Sequence, residues 1–68
     1  MYLIEYVAMP NVQGAPVLHS ELALGTTVEE ARDQADSHLA AASQKFGAKG
    51  YRILGKDSVQ VAVGPTSH

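Results

Sequence analysis

The feature that most restricts the fold of this chain is one amphipathic helix, predicted between Thr26 and Gly47. Thr26 and Thr27 are each followed three residues later by a glutamate, which is the spacing of an N-terminal capping box. A basic residue in the last turn followed by Gly47 is typical of a helix C-terminus. Between these signals, apolar residues recur at spacings of three and four: Val28, Ala31, Ala35, Leu39, Ala42 and Phe46. They form one narrow stripe. Because half of the stripe is alanine, we expect the helix to pack closely on a surface that supplies the large side chains.

Two β-rich segments precede the helix and two follow it. Residues 2–9 and 17–24 are joined by the loop PNVQGAP, and residues 51–54 and 59–63 are joined by the short link GKDS. Such short links favour antiparallel hairpins. The sequence therefore predicts an α+β fold in the order ββαββ, with one helix packed on one face of a four-stranded antiparallel sheet. We expect residues 1–63 to form a single domain, and the remaining residues, 64–68, to form a disordered C-terminal tail.

The length of the chain limits how much core it can bury. A single domain of 68 residues buries only about 60% of the surface that its unfolded form exposes. Small domains usually compensate with disulfides, a metal or a partner subunit. The chain contains no cysteine, which excludes disulfides and thiolate metal sites. Self-association is the remaining means of stabilisation, so we expect a homo-oligomer, most simply a dimer.

Charge and hydropathy argue against nucleic-acid and membrane partners. The net charge is −2, whereas general nucleic-acid-binding domains carry a basic surface. The apolar N-terminal residues 1–9 are interrupted by Glu5 and lack the basic region of a signal peptide. We therefore expect a soluble, cytoplasmic protein that has no membrane partner.

The alternation of side chains along the strands assigns residues to the two faces of the sheet. The residues predicted to face the helix are Ile4, Tyr6, Leu18, Leu22, Tyr51, Ile53, Val59, Val61 and Val63. The opposite face is predicted to carry a mixture of apolar and charged residues: Leu3, Glu5, Val7, Met9, Val17, His19, Glu21, Arg52, Leu54, Gln60 and Ala62. An apolar patch edged by polar groups is typical of an interaction surface. We therefore interpret the chain as a small non-enzymatic interaction or assembly module that uses this face or a sheet edge. The predicted interface consists of Leu3, Glu5, Val7, His19, Glu21, Arg52 and Leu54.

The sequence gives only weak indications of chemistry. His19 can act as a general base or a metal ligand, and Glu5, Glu21 and Arg52 are predicted on the same face. An alternative hypothesis is therefore a small-ligand-binding protein or enzyme with a pocket around these four residues. A lone strand histidine beside a carboxylate is, however, more often part of a surface pair. His38 lies at the border of the helical stripe, where packing is the simpler role. The motifs of zinc enzymes and of nucleotide cofactors are absent, so we expect no catalytic residue, cofactor or metal.

The charge of the chain is unevenly distributed. Residues 1–44 hold six acidic residues and one basic residue, whereas residues 45–68 hold four basic residues and one acidic residue. The basic residues lie in the segment KFGAKGYRILGK, among three glycines. A segment of this composition can contact phosphate groups, but it lacks the glycine spacing of phosphate-binding loops. Anion or nucleic-acid contact is therefore a weaker alternative, and it would use Lys45, Lys49, Arg52 and Lys56.

Overall fold

A computed structural model of the chain describes residues 1–9, 14 and 16–65. The elements are strand β1 (Leu3–Val7), strand β2 (Val17–Leu22), helix α1 (Val28–Phe46), strand β3 (Gly50–Leu54), a single 3₁₀ turn (Lys56–Ser58) and strand β4 (Gln60–Gly64). This order confirms the predicted ββαββ arrangement. Most of the loop predicted between the first two strands, and the end of the predicted C-terminal tail at 66–68, lie outside the described residues. Strand β4 extends to Gly64, one residue beyond the predicted end of the domain.

The four strands form one antiparallel sheet in the order β2-β1-β3-β4. Strands β1 and β3 are therefore central, and helix α1 lies across one face of the sheet. The largest buried side chains come from these central strands: Ile4, Tyr6, Tyr51 and Ile53. Their predicted orientation toward the helix is confirmed, because all four belong to the core cluster that contains the buried residues of α1.

The ends of helix α1 lie where the sequence predicts them. Thr27 is the N-cap, and its hydroxyl accepts a hydrogen bond from the backbone N–H of Glu30. The Glu30 carboxylate in turn accepts hydrogen bonds from the backbone N–H groups of Thr26 and Thr27, which completes a capping box. At the other end, Gly47 adopts a left-handed conformation with φ of 76°, which glycine adopts without a steric penalty.

The alanines of the helical stripe are the residues that α1 buries. Ala31, Ala35 and Ala42 are buried, and Leu39 packs against the same core. A methyl side chain lets the helix backbone approach the sheet, where Tyr6 and Tyr51 fill the remaining space. Small residues on the helix and large residues on the sheet thus complement each other, as packing at the density of a protein interior requires.

The predicted orientation of strand β2 is wrong beyond Leu18, which packs against the core as predicted. Glu21 pairs with Ile4 and His19 pairs with Tyr6, so His19 and Glu21 lie on the side of the sheet that the helix covers. Leu22 instead pairs with Leu3 on the opposite side. The hydrophobic alternation of an edge strand is a weak guide here, because the helix border supplies hydrogen-bond partners for the polar residues.

The predicted orientation of strand β4 is also wrong beyond Gln60, which pairs with Leu54 on the predicted face. Ala62 pairs with Ile53 and packs against the core, and Gly64 pairs with Tyr51. Val63 lies opposite Arg52, on the face away from the helix. The physical reason is volume, since the Tyr51 ring occupies the space in which a side chain at position 64 would lie.

Candidate functional site

The first candidate site is the face of the sheet away from the helix, which we call the open face. Its centre is an ion pair between Glu5 of β1 and Arg52 of β3, which are directly opposite in the register of the two strands. The Arg52 Nη2 atom lies 3.2 Å from Glu5 Oε1, and the two side chains are only 16% and 18% exposed. The predicted placement of Glu5 and Arg52 on the same face is therefore confirmed.

Apolar side chains surround this ion pair. We define the open face by the residues whose pairing places them on the same side as Glu5: Leu3, Glu5, Val7, Val17, Ser20, Leu22, Gly50, Arg52, Leu54, Gln60 and Val63. Leu22 is 57% exposed and Val17 is 44% exposed. Val7 is fully buried even though it lies on this side. The open face therefore combines exposed aliphatic groups and two exposed polar residues, Ser20 and Gln60, with one pair of opposite charges that is largely withdrawn from water.

One polar atom on the open face lacks a partner. The Nε atom of Arg52 is buried and makes no hydrogen bond with the described residues. Burying an unsatisfied donor costs about 1–3 kcal/mol. Arg52 thus keeps one unpartnered donor away from water while its Nη2 atom donates to Glu5.

The second candidate site is a polar cluster around Glu21, between strand β2 and helix α1. Glu21 Oε2 accepts three hydrogen bonds: from the Tyr6 hydroxyl at 2.8 Å, from Gln34 Nε2 at 2.9 Å and from His38 Nδ1 at 2.7 Å. Because a carboxylate oxygen can only accept, Nδ1 of His38 carries the proton in this pair. Gln34 also donates to the carbonyl of Leu22 and accepts from the N–H of Leu24, which ties the end of β2 to the helix.

The positions of these groups follow from regular geometry. Gln34 and His38 are four residues apart on α1, so they lie one above the other on the same side of the helix. Tyr6 lies on β1 beside β2, with its side chain on the face that meets the helix. Three elements thus converge on one carboxylate at the border of the core.

The surroundings shift the titration of both acids in this cluster. Burial alone would raise the pKa of Glu21, but hydrogen bonds from His38, Gln34 and Tyr6 outweigh burial, so the pKa lies below its usual value. Burial and the hydrogen bond to Glu21 both raise the pKa of Tyr6, which remains a neutral donor at physiological pH. Tyr51 behaves similarly, since burial and its hydrogen bond to Asp36 raise its pKa.

A small cleft opens beside the polar cluster. The ring of His19 stacks on Phe46 with a centroid separation of 4.8 Å and an interplanar angle of 11°. It also stacks on Tyr6 at 5.9 Å and 22°. Next to these rings is a cleft of about 140 Å³ between β2 and the C-terminal half of α1, bordered also by His38, Ala41 and Lys45. We refer to this space as the cleft.

The structure divides the four residues that were predicted to line one pocket. Glu5 and Arg52 lie on the open face, whereas His19 and Glu21 lie on the other side of the sheet, beside the helix. His19 and Glu21 are therefore removed from the predicted interface, and the other five predicted interface residues lie on the open face: Leu3, Glu5, Val7, Arg52 and Leu54.

The basic residues of the C-terminal segment are not brought together either. Lys45 borders the cleft, and Arg52 belongs to the open face. Lys49 and Lys56 are exposed and lie at opposite ends of strand β3, one before it and one after it. The segment therefore does not present a single cationic surface for an anion or a nucleic-acid backbone.

Sequence reasoning missed His38, Gln34 and Phe46 as parts of a site. His38 was assigned to packing at the helix border, and the structure instead places it in contact with Glu21. The spacing of Gln34, His38, Ala41 and Lys45 is a regular helical stripe next to the apolar one. That stripe is the signal from which these positions can be found, once the orientation of β2 is known.

Glu21 gives a prediction about acid stability. Its folded-state pKa is below the ordinary value of 4.5, so the unfolded chain takes up a proton at a higher pH than the folded chain does. The stabilisation is therefore present at neutral pH and is lost as the pH falls below about 4.5 through the folded-state pKa. We expect Glu21→Gln to flatten the decline of unfolding free energy between about pH 5 and pH 3, measured by urea denaturation at a series of pH values.

The matched control for this experiment is Glu29→Gln. Glu29 is exposed in the first turn of α1, and the substitution removes the same charge without touching the cluster. A Glu29→Gln curve should run parallel to that of the wild type. Equal flattening by the two substitutions would show that the hydrogen bonds to Glu21 do not cause the acid sensitivity.

Comparison with known proteins gives no match, whether to a family model, to a curated protein or to a solved structure. No helix among the described residues combines the length and the apolar content needed to cross a membrane. Within residues 1–9, 14 and 16–65, no group of three or more His, Asp or Glu side chains is placed to hold a metal ion.

Proposed function

We propose that this protein is a small assembly module without enzymatic activity, which pairs with a second copy of itself through the open face. The observation that carries the proposal is the Glu5–Arg52 ion pair, which is largely withdrawn from water within an apolar surface that still exposes Leu22 and Val17. An exposed apolar patch of this kind is typical of an interaction surface. A partner placed on the patch would remove these aliphatic groups from water.

Charge complementarity favours a second copy as the partner. The open face carries one cation and one anion side by side, so its charges are balanced. In a twofold-symmetric pair, each surface meets its own copy. Glu5 of one copy can then face Arg52 of the other, while the apolar residues around them meet each other. Such an arrangement sets the register of the two copies more than it adds affinity.

The size of the domain supports the same proposal. The single helix covers one face of the sheet, and a chain of 68 residues is close to the lower limit for a stable independent core. Binding of a second copy to the folded state alone stabilises that state by mass action. Dimerisation would therefore supply part of the stability that neither disulfides nor a large core can provide.

Leu22→Glu tests this proposal. Leu22 is 57% exposed on the open face, so a glutamate there keeps its charge in water in the monomer but places it in the interface of the dimer. We expect the wild type to sediment at about twice the chain mass of 7.2 kDa at micromolar concentration. We expect the substitution to raise the dimer dissociation constant by at least about tenfold, which corresponds to about 1.4 kcal/mol. Sedimentation equilibrium over a range of concentrations measures both.

Leu24→Glu is the matched control, because it makes the same change two residues further along. Leu24 is 90% exposed, and it follows β2 outside the open face, so its substitution should leave the dissociation constant unchanged. If the wild type were still monomeric at about 100 μM, the proposed dimer would be ruled out. If both substitutions raised the dimer dissociation constant equally, the interface would not be the open face.

A further inference from the structure

We propose that the cleft between strand β2 and helix α1 binds a small aromatic carboxylate. This inference is independent of the proposed dimer, because the cleft is on the helix side of the sheet and the open face is on the other. It rests on three properties of the cleft: its volume, its aromatic wall, and the fact that Glu21 already has hydrogen-bond partners whereas Lys45 has none among the described residues.

The volume of the cleft fits a single ring. It measures about 140 Å³, and an apolar cavity of about 150 Å³ in another protein accommodates benzene. The cleft is open to solvent on one side, so a substituent on the ring can extend toward water. A ligand much larger than one six-membered ring with one small group would exceed the space.

The wall of the cleft is formed by rings that are already in place. His19 is stacked between Tyr6 and Phe46, and this stack restrains all three side chains before any ligand arrives. Aromatic rings favour other aromatic rings in offset or edge-to-face contact. Because the wall is preformed, little conformational entropy remains to be lost on binding. The methyl group of Ala41 adds to the apolar lining.

The charges of the cleft favour an anion. The Oε2 atom of Glu21 already accepts hydrogen bonds from three donors, Tyr6, Gln34 and His38. Lys45 borders the cleft, and its ammonium group makes no ion pair or hydrogen bond with any described residue. The charged group that remains available to a ligand in the cleft is therefore the Lys45 ammonium group. A carboxylate on an aromatic ring matches both the free ammonium group and the ring stack.

The test is an NMR titration of the ¹⁵N-labelled full chain with sodium benzoate as the probe. A ligand of this size in an open site is expected to bind with a dissociation constant in the low millimolar range, by order of magnitude. We expect saturable shifts of backbone amides confined to β2 and the second half of α1. Acetate, which lacks the ring, and benzyl alcohol, which lacks the charge, should each bind at least about tenfold more weakly.

Two substitutions separate a specific site from general attraction of an anion. Lys45→Gln should weaken benzoate binding by at least about fivefold, whereas Lys49→Gln removes the same charge from an exposed residue away from the cleft and should leave binding unchanged. The proposal is overturned by shifts that do not saturate or by equal effects of the two substitutions. It is also overturned if acetate or inorganic phosphate binds as tightly as benzoate, because the site would then recognise an anion without a ring.

Discussion

We expect Gly64→Ala to lower the free energy of unfolding by about 2–3 kcal/mol, although it adds only one methyl group. Gly64 lies in β4 directly opposite Tyr51 of β3. A Cβ atom at position 64 would lie 2.7 Å from Cε1 of Tyr51 and closer still to Cζ and the hydroxyl oxygen. The ring cannot swing away freely, because it is fully buried and its hydroxyl donates a 2.6 Å hydrogen bond to Asp36 on the helix. Urea denaturation at a fixed protein concentration measures the loss.

The control for this prediction is Gly55→Ala, in the same β-hairpin. A Cβ atom at Gly55 would meet its nearest neighbour, the Val61 side chain, at 3.3 Å, and φ at this residue is −91°, which alanine adopts without strain. We expect a change of less than about 1 kcal/mol. If Gly55→Ala and Gly64→Ala lowered the free energy of unfolding by similar amounts, the cause would be the flexibility of the β-hairpin and not the Tyr51 ring.

A double substitution tests whether the ring itself is responsible. Tyr51→Leu removes the ring atoms that conflict with a side chain at position 64. If the conflict is the cause, Gly64→Ala should cost far less in the Tyr51→Leu background than in the wild type. The interaction energy of such a cycle is expected to be about 1–2 kcal/mol. Strictly additive effects would contradict the explanation.

The helix could be predicted from the sequence almost to the residue, because its signals are local. Thr27 and Glu30 form a capping box within one turn, and Gly47 ends the helix through its own backbone conformation. The apolar spacing of α1 identified the buried alanines for the same reason. None of these features depends on which strand the helix later meets. Local chemistry alone determines them.

The orientation of the edge strands could not be predicted, because it depends on partners distant in the sequence. Strand β2 turns His19 and Glu21 toward the helix, where Gln34 and His38 satisfy the carboxylate. Strand β4 turns its smallest residues inward because the Tyr51 ring and the close-packed helix leave no room for valine. Each edge strand also has a register irregularity, between Tyr6 and Val7 for β2 and between Ile53 and Leu54 for β4. The predicted faces are correct on one side of each irregularity and reversed on the other. A shift of one residue in an alternating pattern exchanges the two faces completely.

This reversal alters both functional hypotheses in a definite way. The open face is more apolar than predicted, because His19 and Glu21 are absent from it and Leu22 and Val63 lie on it instead. The same change places both polar residues in a bounded space beside Phe46. The common face of Glu5 and Arg52 was predictable because both lie on central strands whose large neighbours fix the orientation.

The second large effect is expected from Ala35→Leu in the helical stripe. Ala35 is fully buried against the sheet, near the middle of α1. Leucine and alanine have similar helix propensities, so the helix itself is not weakened. Three additional carbon atoms must instead be placed where the helix backbone and the sheet approach each other. We expect a loss of about 2–3 kcal/mol in unfolding free energy, measured by urea denaturation followed by circular dichroism.

Ala40→Leu makes the same substitution on the exposed side of the same helix, so it differs from Ala35→Leu only in what the new side chain meets. We expect it to change the unfolding free energy by less than about 0.5 kcal/mol. A well-tolerated Ala35→Leu variant would mean that the helix can move away from the sheet without loss. The alanine stripe would then reflect helix propensity alone, and the close approach of α1 to Tyr6 and Tyr51 would not be what stabilises this small core.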